Sequence, residues 1–364
     1  VSPAPATRPP NASASPAATS PRSGNGRSSP RSSGSPTTRS TGSARFRHGP
    51  YAGRRRLISP RSSRRELDVL FVTTKKHKRA ASVSLRVSQL RALLAVAHPG
   101  LRIGVRELPL SRLERLAQPP ARVVVIAKYA LPKVQPDDAE RLAERSSVVL
   151  DPVDGPVPDY WARLADIVLS PSVDAMPDLQ VFAPSAAIHL VPHHIDLRIP
   201  EISAQQDFFK AAFFGETGNA LHMENLHGVV EPVITHTGND RDRGWEARLR
   251  EFSLHYAVRP PLTRKVWKPP TKLAVAAHVG ANIITPQAEP DVEYYLGADY
   301  PYLARSSSLE AIREAFERAQ SGFGTSEWHD ARHVMNDARK HFTAHAVCEA
   351  LKRVFDIILS GERR

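Results

Sequence analysis

From Glu66 onward the chain alternates short β-branched runs with longer stretches of helical period, and nothing else in it constrains the fold as tightly. The runs LDVLFV (67 to 72), LRIGVREL (101 to 108), RVVVIA (122 to 127), SVVLD (147 to 151), DIVLS (166 to 170) and AIHLVP (187 to 192) read as strands of one parallel sheet. Between the first two lies SVSLRVSQLRALLAVA (82 to 97), a predicted helix with Leu85, Leu90, Leu93, Leu94 and Ala97 on one face. A polar, irregular connection, IDLRIPEISAQQDF, ends this unit. The pattern restarts at KAAFFGETGN, with strands expected at 211 to 214, 229 to 235, 253 to 258, 282 to 285 and 301 to 304. Helices are expected at 271 to 280, started by Thr271 as N-cap and closed by Gly280, and at 306 to 320 behind Ser308. A last long helix is expected from Ser326 to about Leu359, its drifting apolar stripe able to pack on more than one surface.

The fold class expected is therefore α/β, two Rossmann-like units facing a cleft. Residues 66–200 form the first, 201–325 the second and 326–364 a helix packing across both. Residues 1–65 stand apart. They hold thirteen of the chain's 50 basic residues and no acidic one, leaving 37 basic against 37 acidic in the remainder. The formal charge of +13 thus belongs to the tail, and the basic folded surface that a nucleic-acid binder needs is not indicated. With ten prolines and fifteen serines and no apolar face, the tail is expected to be disordered. It shows neither a secretory apolar core nor the amphipathic period of a transit peptide. The chain opens on Val1, which reads as a fragment or as a start placed too far upstream. No apolar run reaches the length of a membrane span. The single cysteine, Cys348, rules out an internal disulfide and a cysteine zinc cage, which fits a reducing, cytoplasmic setting.

Open α/β sheets take ligands beyond the carboxyl ends of their strands, so the residues that follow strands carry the functional reading. In the second unit Arg259 follows a strand, and WKPPTKL supplies Lys268 and Lys272 at the start of the helix led by Thr271. Three cations beside a helix N-terminus suit a diphosphate. The next strand ends in PQAEPDVEYYLG, where Glu289, Asp291 and Glu293 form an acidic cluster suited to sugar hydroxyls. Against these stands the plain reading of surface charges and helix-dipole partners.

KPPTKLAVAAHVGANIITPQAEPDVEYYLGADYPYL, with FSLHYAVR before it and AAFFGETGN at the head of the unit, resembles the donor-binding half of GT-B glycosyltransferases over about residues 209 to 320. The first unit matches in architecture only. The resemblance implies a transferase of the hexosyltransferase type, with a retaining outcome expected and an inverting one left open, and the cations beside the helix N-terminus make a metal unnecessary. Its donor diphosphate would be held by Arg259, Lys268 and Lys272, with Gly215 letting backbone approach the ligand. Its substrates would be a nucleotide-sugar, with no other cofactor, and an acceptor that is a glycan, a lipid or a small molecule. A lipid acceptor would bring the protein to the inner face of the membrane. Two departures stand out. Val275 occupies the place where many retaining members carry a ribose-binding glutamate, and Glu216 stands where an arginine is common. A GT-B-type nucleotide-sugar epimerase and a non-catalytic sugar-nucleotide-binding protein are the alternatives.

In the first unit His193 and His194 follow the last strand, and Asp151 and Asp154 follow the fourth. His193, His194 and Asp154 are the catalytic candidates, a histidine to orient the acceptor hydroxyl or contact donor phosphate and Asp154 as acceptor base if the mechanism inverts. Lys75 and Lys76, after the first strand, suit an anionic acceptor or form a solvated loop. His329, His333, Asp337, His341 and His345 recur every four residues. On one straight helix the series would rise about 24 Å and drift about 40° per step, too far apart to share an ion, and no metal site is expected. HMENL is not HExxH, and no phosphate loop of the GxxxxGK[ST] kind is present.

Overall fold

The computed structural model describes residues 67–77, 80–108, 121–204, 207–235, 244–260 and 268–360. The tail read over residues 1–65 lies outside them. Two wholly parallel sheets organise the described chain. The first contains β1 (Leu67–Thr74), β2 (Ile103–Leu108), β3 (Ala121–Ala127), β4 (Ser147–Asp151), β5 (Ile167–Ser170) and β6 (Ala187–Leu190) in the order β2-β1-β3-β4-β5-β6. The second contains β7 (Ala211–Phe214), β8 (Val230–Val233), β9 (Leu254–Tyr256), β10 (Asn282–Pro286) and β11 (Leu303–Ala304) in the order β11-β10-β9-β7-β8. Every strand expected from the sequence is present, because runs such as Val123-Val124-Val125-Ile126 are buried on both faces and have no polar side to turn to water. In each sheet the chain leaves the first strand on one side and returns on the other, so β1/β3 and β7/β9 are the switch points.

Helices cover both faces: α1 (Ala81–Val83), α2 (Leu90–Ala97), α3 (Pro136–Ala143), α4 (Met176–Phe182), α5 (Gly244–Arg248), α6 (Thr271–Val279), α7 (Val292–Leu296), α8 (Leu309–Ser321), α9 (Ser326–Arg339) and α10 (Ala344–Ser360). Two sequence expectations are corrected. The helix read across 82 to 97 is interrupted by a π-helical stretch, Ser84–Gln89, in which the Leu90 amide reaches back five residues to the Leu85 carbonyl. The extra residue per turn rotates Arg86 and Gln89 into the interior.

The long helix read from Ser326 is two helices. Lys340–Phe342 tightens into a 3₁₀ turn, Thr343 is extended, and its hydroxyl accepts the Ala346 amide at 3.2 Å to cap α10. The break sends each half of the apolar stripe to a different core. Trp328, Met335 and Ala338 of α9 pack with Tyr302 and Phe316 beside the second sheet. Val347, Leu351 and Phe355 of α10 pack with Leu90, Leu94 and Val125 beside the first. The chain therefore passes between the halves twice, and the two passages are joined where the Ile195 amide donates to the Phe342 carbonyl at 3.1 Å. No described helix is long and apolar enough to cross a membrane.

Candidate active site

The carboxyl ends of the two sheets meet. Asp154, in the loop after β4, accepts from Lys128, directly after β3, and from Lys268, at the approach to α6, the latter at 2.5 Å. Its carboxyl is desolvated by burial, yet the hydrogen bonds and charges of the two lysines hold it below the usual carboxylate range. A second link runs through Asp291, whose left-handed backbone (φ 68°) turns its side chain away from α7. Its Oδ1 accepts from Ser172 Oγ and the Asp174 amide, both at 2.9 Å, and its own amide donates to Asp174 Oδ2 at 2.6 Å.

The cations of the second unit converge. Lys272, on the first turn of α6, points back to the end of β7, donating to the Phe214 carbonyl at 2.7 Å with its amine 4.0 Å from the centre of the Phe213 ring. It approaches so closely because the next residue is Gly215. A Cβ there would lie 3.0 Å from Lys272 Nζ and 3.1 Å from the Phe213 ring, and the backbone has φ +150°. Burial, and then the charge of Arg259, lowers the Lys272 amine to about 8. Arg259 is ion-paired to Glu289 at the end of β10, and burial lowers its guanidinium while Asp154 supports its charge. Lys272, Arg259, Asp154, Lys268 and Lys128 thus form one continuous series of interacting charges across both halves.

On the first unit's side His193 and His194 are buried. The His193 ring has an unpartnered Nδ1. Burial first, then Arg86 and His194, hold it well below the ordinary histidine value, with Asp154 opposing. His194 sits at about 4, chiefly through burial and then through Arg86. Gln89 Nε2 donates to Asp196 Oδ1 at 2.6 Å, so its Oε1 is the acceptor for the Leu197 amide and for His194 Nε2. His194 therefore carries its proton on Nε2. Beneath this loop Arg86 is fully buried. It forks onto Asp151 with contacts of 2.9 to 3.2 Å and donates to the Val191 and Pro192 carbonyls. Burial raises the Asp151 carboxyl, and Arg86 opposes that rise.

The structure separates some of what the sequence had grouped. Glu289 faces Arg259, Asp291 faces the first unit, and Glu293 is exposed on α7, so the acidic cluster is not one group. Thr271 is not the N-cap of α6: Pro270 holds that position, no side chain caps the helix, and Thr271 is its exposed first residue. Asp151 is bound to Arg86 and does not face the other half. The histidine series is divided among α9, the 3₁₀ turn and α10. Among the described residues no three His, Cys, Asp or Glu side chains come together as a metal ion would require. Three residues escaped the sequence reading. Lys128 directly follows a strand and satisfied the same rule as Arg259. Arg86 was an isolated cation in the apolar run SLRVSQL, and His255, buried on β9 beside Phe214 and lowered to about 3 by burial, carried no signal at all.

No protein-family profile and no curated protein sequence matches this chain. Solved structures do match its shape. A glycosyltransferase from Rickettsia africae ESF-5 superposes with a TM-score of 0.56 at 8% identity, covering 82% of this chain and 100% of that one. The lipopolysaccharide outer core galactosyltransferase WaaB, in its apo form, superposes with a TM-score of 0.53 at 6% identity, covering 81% and 100%. The chain has the GT-B fold.

Proposed function

We propose that the protein transfers a sugar from a nucleotide diphosphate donor to an acceptor hydroxyl, and that the site between the sheets is where it does so. The observation that carries this reading is the linked set of cations facing the other half: Lys272 at the end of β7, Arg259 close enough to depress the Lys272 amine, and Lys268 paired with Asp154. A glycosidic bond to a diphosphate breaks only if the charge left on the phosphate is compensated, and three cations in a partly buried setting supply that compensation without calling on a metal. Gly215, lacking a Cβ, lets the Lys272 amine lie against the chain at the end of β7. Two of these cations meet carboxylates, Lys268 on Asp154 and Arg259 on Glu289. Donor phosphates compete for Lys268 and Arg259. Asp154, relieved of Lys268, then takes the proton of the acceptor hydroxyl as its oxygen bonds to the anomeric carbon and the nucleoside diphosphate departs. His193, whose buried ring feels the Asp154 charge, orients the acceptor hydroxyl.

The test is incubation of the purified full chain with UDP-, GDP- and ADP-sugars, with and without acceptor pools. Release of nucleotide together with a glycosylated product, its anomeric configuration read by NMR, is the expected result. An altered free sugar with no acceptor product would mean epimerisation. Nucleotide-sugar binding without any turnover would mean a non-catalytic binding protein.

A further inference from the structure

At the switch point of the first sheet the loops after β1 and β3 are locked together and carry cations that no described carboxylate neutralises. His77 closes the turn Lys75–His77 and stacks flat on Tyr129, ring centres 3.9 Å apart and planes within 8°. The His77 ring also meets Thr74 Oγ1 through Nδ1 at 2.8 Å. The Lys128 amine lies 5.2 Å from the centre of the Tyr129 ring, and Lys133 ends the next turn of the same loop, Leu131–Lys133. Lys75, Lys76 and Lys133 are exposed and, among the described residues, belong to no ion pair, whereas Lys128 is paired with Asp154. Burial, followed by the charges of Lys76, Lys133 and Lys128, lowers His77 below its ordinary value.

We propose that this lysine lip is the binding site for a phosphate group on the acceptor, so that the acceptor substrate is a phosphate-bearing hydroxyl compound. Lysine binds phosphate as a compact point charge, and several such charges gathered on two adjoining loops suit a group that carries up to two negative charges on three oxygens. The lip sits where an open parallel sheet receives a ligand, and the His77–Tyr129 stack holds its two loops in fixed register. Lys128 joins it to Asp154, so a phosphate held at the lip presents its neighbouring hydroxyls toward the carboxylate assigned above as base. The assignment of the phosphate to an acceptor rests on the proposed transfer reaction; the anion site itself does not.

The experiment compares the native full chain with the triple variant Lys75→Gln/Lys76→Gln/Lys133→Gln. Acceptors are offered in pairs: sn-glycerol 3-phosphate with glycerol, glucose 6-phosphate with glucose, and phosphatidylglycerol with diacylglycerol, each lipid carried in phosphatidylcholine vesicles. A preference of about tenfold or more in kcat/KM for the phosphate-bearing member is expected, weakening as salt is raised and lost in the variant, with the donor KM unchanged. The soluble and vesicle pairs separate a free phosphate from a lipid headgroup. Equal use of charged and neutral acceptors, or an unchanged preference in the variant, overturns the proposal. Both proteins are also titrated with sn-glycerol 3-phosphate and inorganic phosphate by NMR, whether or not any donor is turned over. Binding by the native chain that the variant lacks upholds the anion site even where transfer fails. Identical titrations, or none, overturn it.

Discussion

Asp154 and Lys268 come from opposite halves of the molecule and are joined by an ion pair of 2.5 Å, with Lys128 on the other carboxylate oxygen. Asp154 is the shared element of the two half-sites, so its replacement separates binding from turnover. Asp154→Asn keeps the shape, removes the competitor for Lys268 and removes the base. Nucleoside diphosphate affinity is expected to hold or rise, measured by calorimetry, while kcat falls roughly 10²- to 10⁴-fold. Unchanged turnover would place the base elsewhere.

Both the backbone conformation and the neighbours of Gly215 disfavour a side chain there. Alanine there would put a methyl group 3.0 Å from Lys272 Nζ and 3.1 Å from the Phe213 ring on a backbone at φ +150°. Gly215→Ala is expected to cost on the order of 1–3 kcal/mol of stability. The displacement of Lys272 should also weaken UDP or GDP binding about tenfold or more, a loss that a purely global destabilisation would not produce in the folded fraction.

Lys272 gives the donor site a pH limit. Its amine, lowered to about 8 by burial and then by Arg259, is charged below that value and loses its proton as pH rises through it. Nucleoside diphosphate affinity is expected to be level below pH 8 and to fall above it, and Lys272→Met should abolish both the affinity and the inflection. Because a bound phosphate favours the charged amine, the corresponding limb in kcat should lie at higher pH than that in kcat/KM.

The Arg86–Asp151 pair holds the floor of the His193 loop. Arg86→Met strands a buried carboxylate and is expected to destabilise the protein by about 3–5 kcal/mol in urea titrations. Arg86→Met/Asp151→Leu, which removes both charges, should recover most of that loss. Additive losses in the double variant would show that the two residues are not energetically coupled.

The buried histidines set the acid stability. His194 at about 4 and His255 at about 3 remain neutral in the folded protein at pH values where an unfolded histidine, near 6.5, takes up a proton. The unfolded chain thus binds more protons, and stability, complete above pH 6.5, is lost as pH falls. The slope is about 1.4 kcal/mol per pH unit for each such histidine. The His194 contribution should flatten below pH 4. His255→Leu is expected to make the dependence between pH 6 and 4 shallower, as read by denaturant midpoints.

The strands were legible because burial on both faces demands unbroken apolar runs, and Val123 to Ile126 or Ile283 to Ile284 can serve no other purpose. The cations Arg259 and Lys272 were legible because parallel sheets put their chemistry after strands. Arg86 was not. Its inward direction depends on one extra residue in a helical turn, which leaves the apolar period of Leu85, Leu90 and Leu94 nearly intact. The Asp154 and Asp291 contacts join residues more than a hundred positions apart, and no local pattern encodes which facing group a loop carboxylate will choose.

The sequence by itself determined two parallel sheets, their strands and the side of each sheet that carries charge, because these follow from local periodicity and the handed path of a parallel crossover. Only the tertiary structure decided that Glu289 neutralises Arg259, that Asp154 bridges two lysines, and that the C-terminal helices divide between two cores. Those outcomes are set by the relative placement of the sheets, where a few ångströms decide which charges meet.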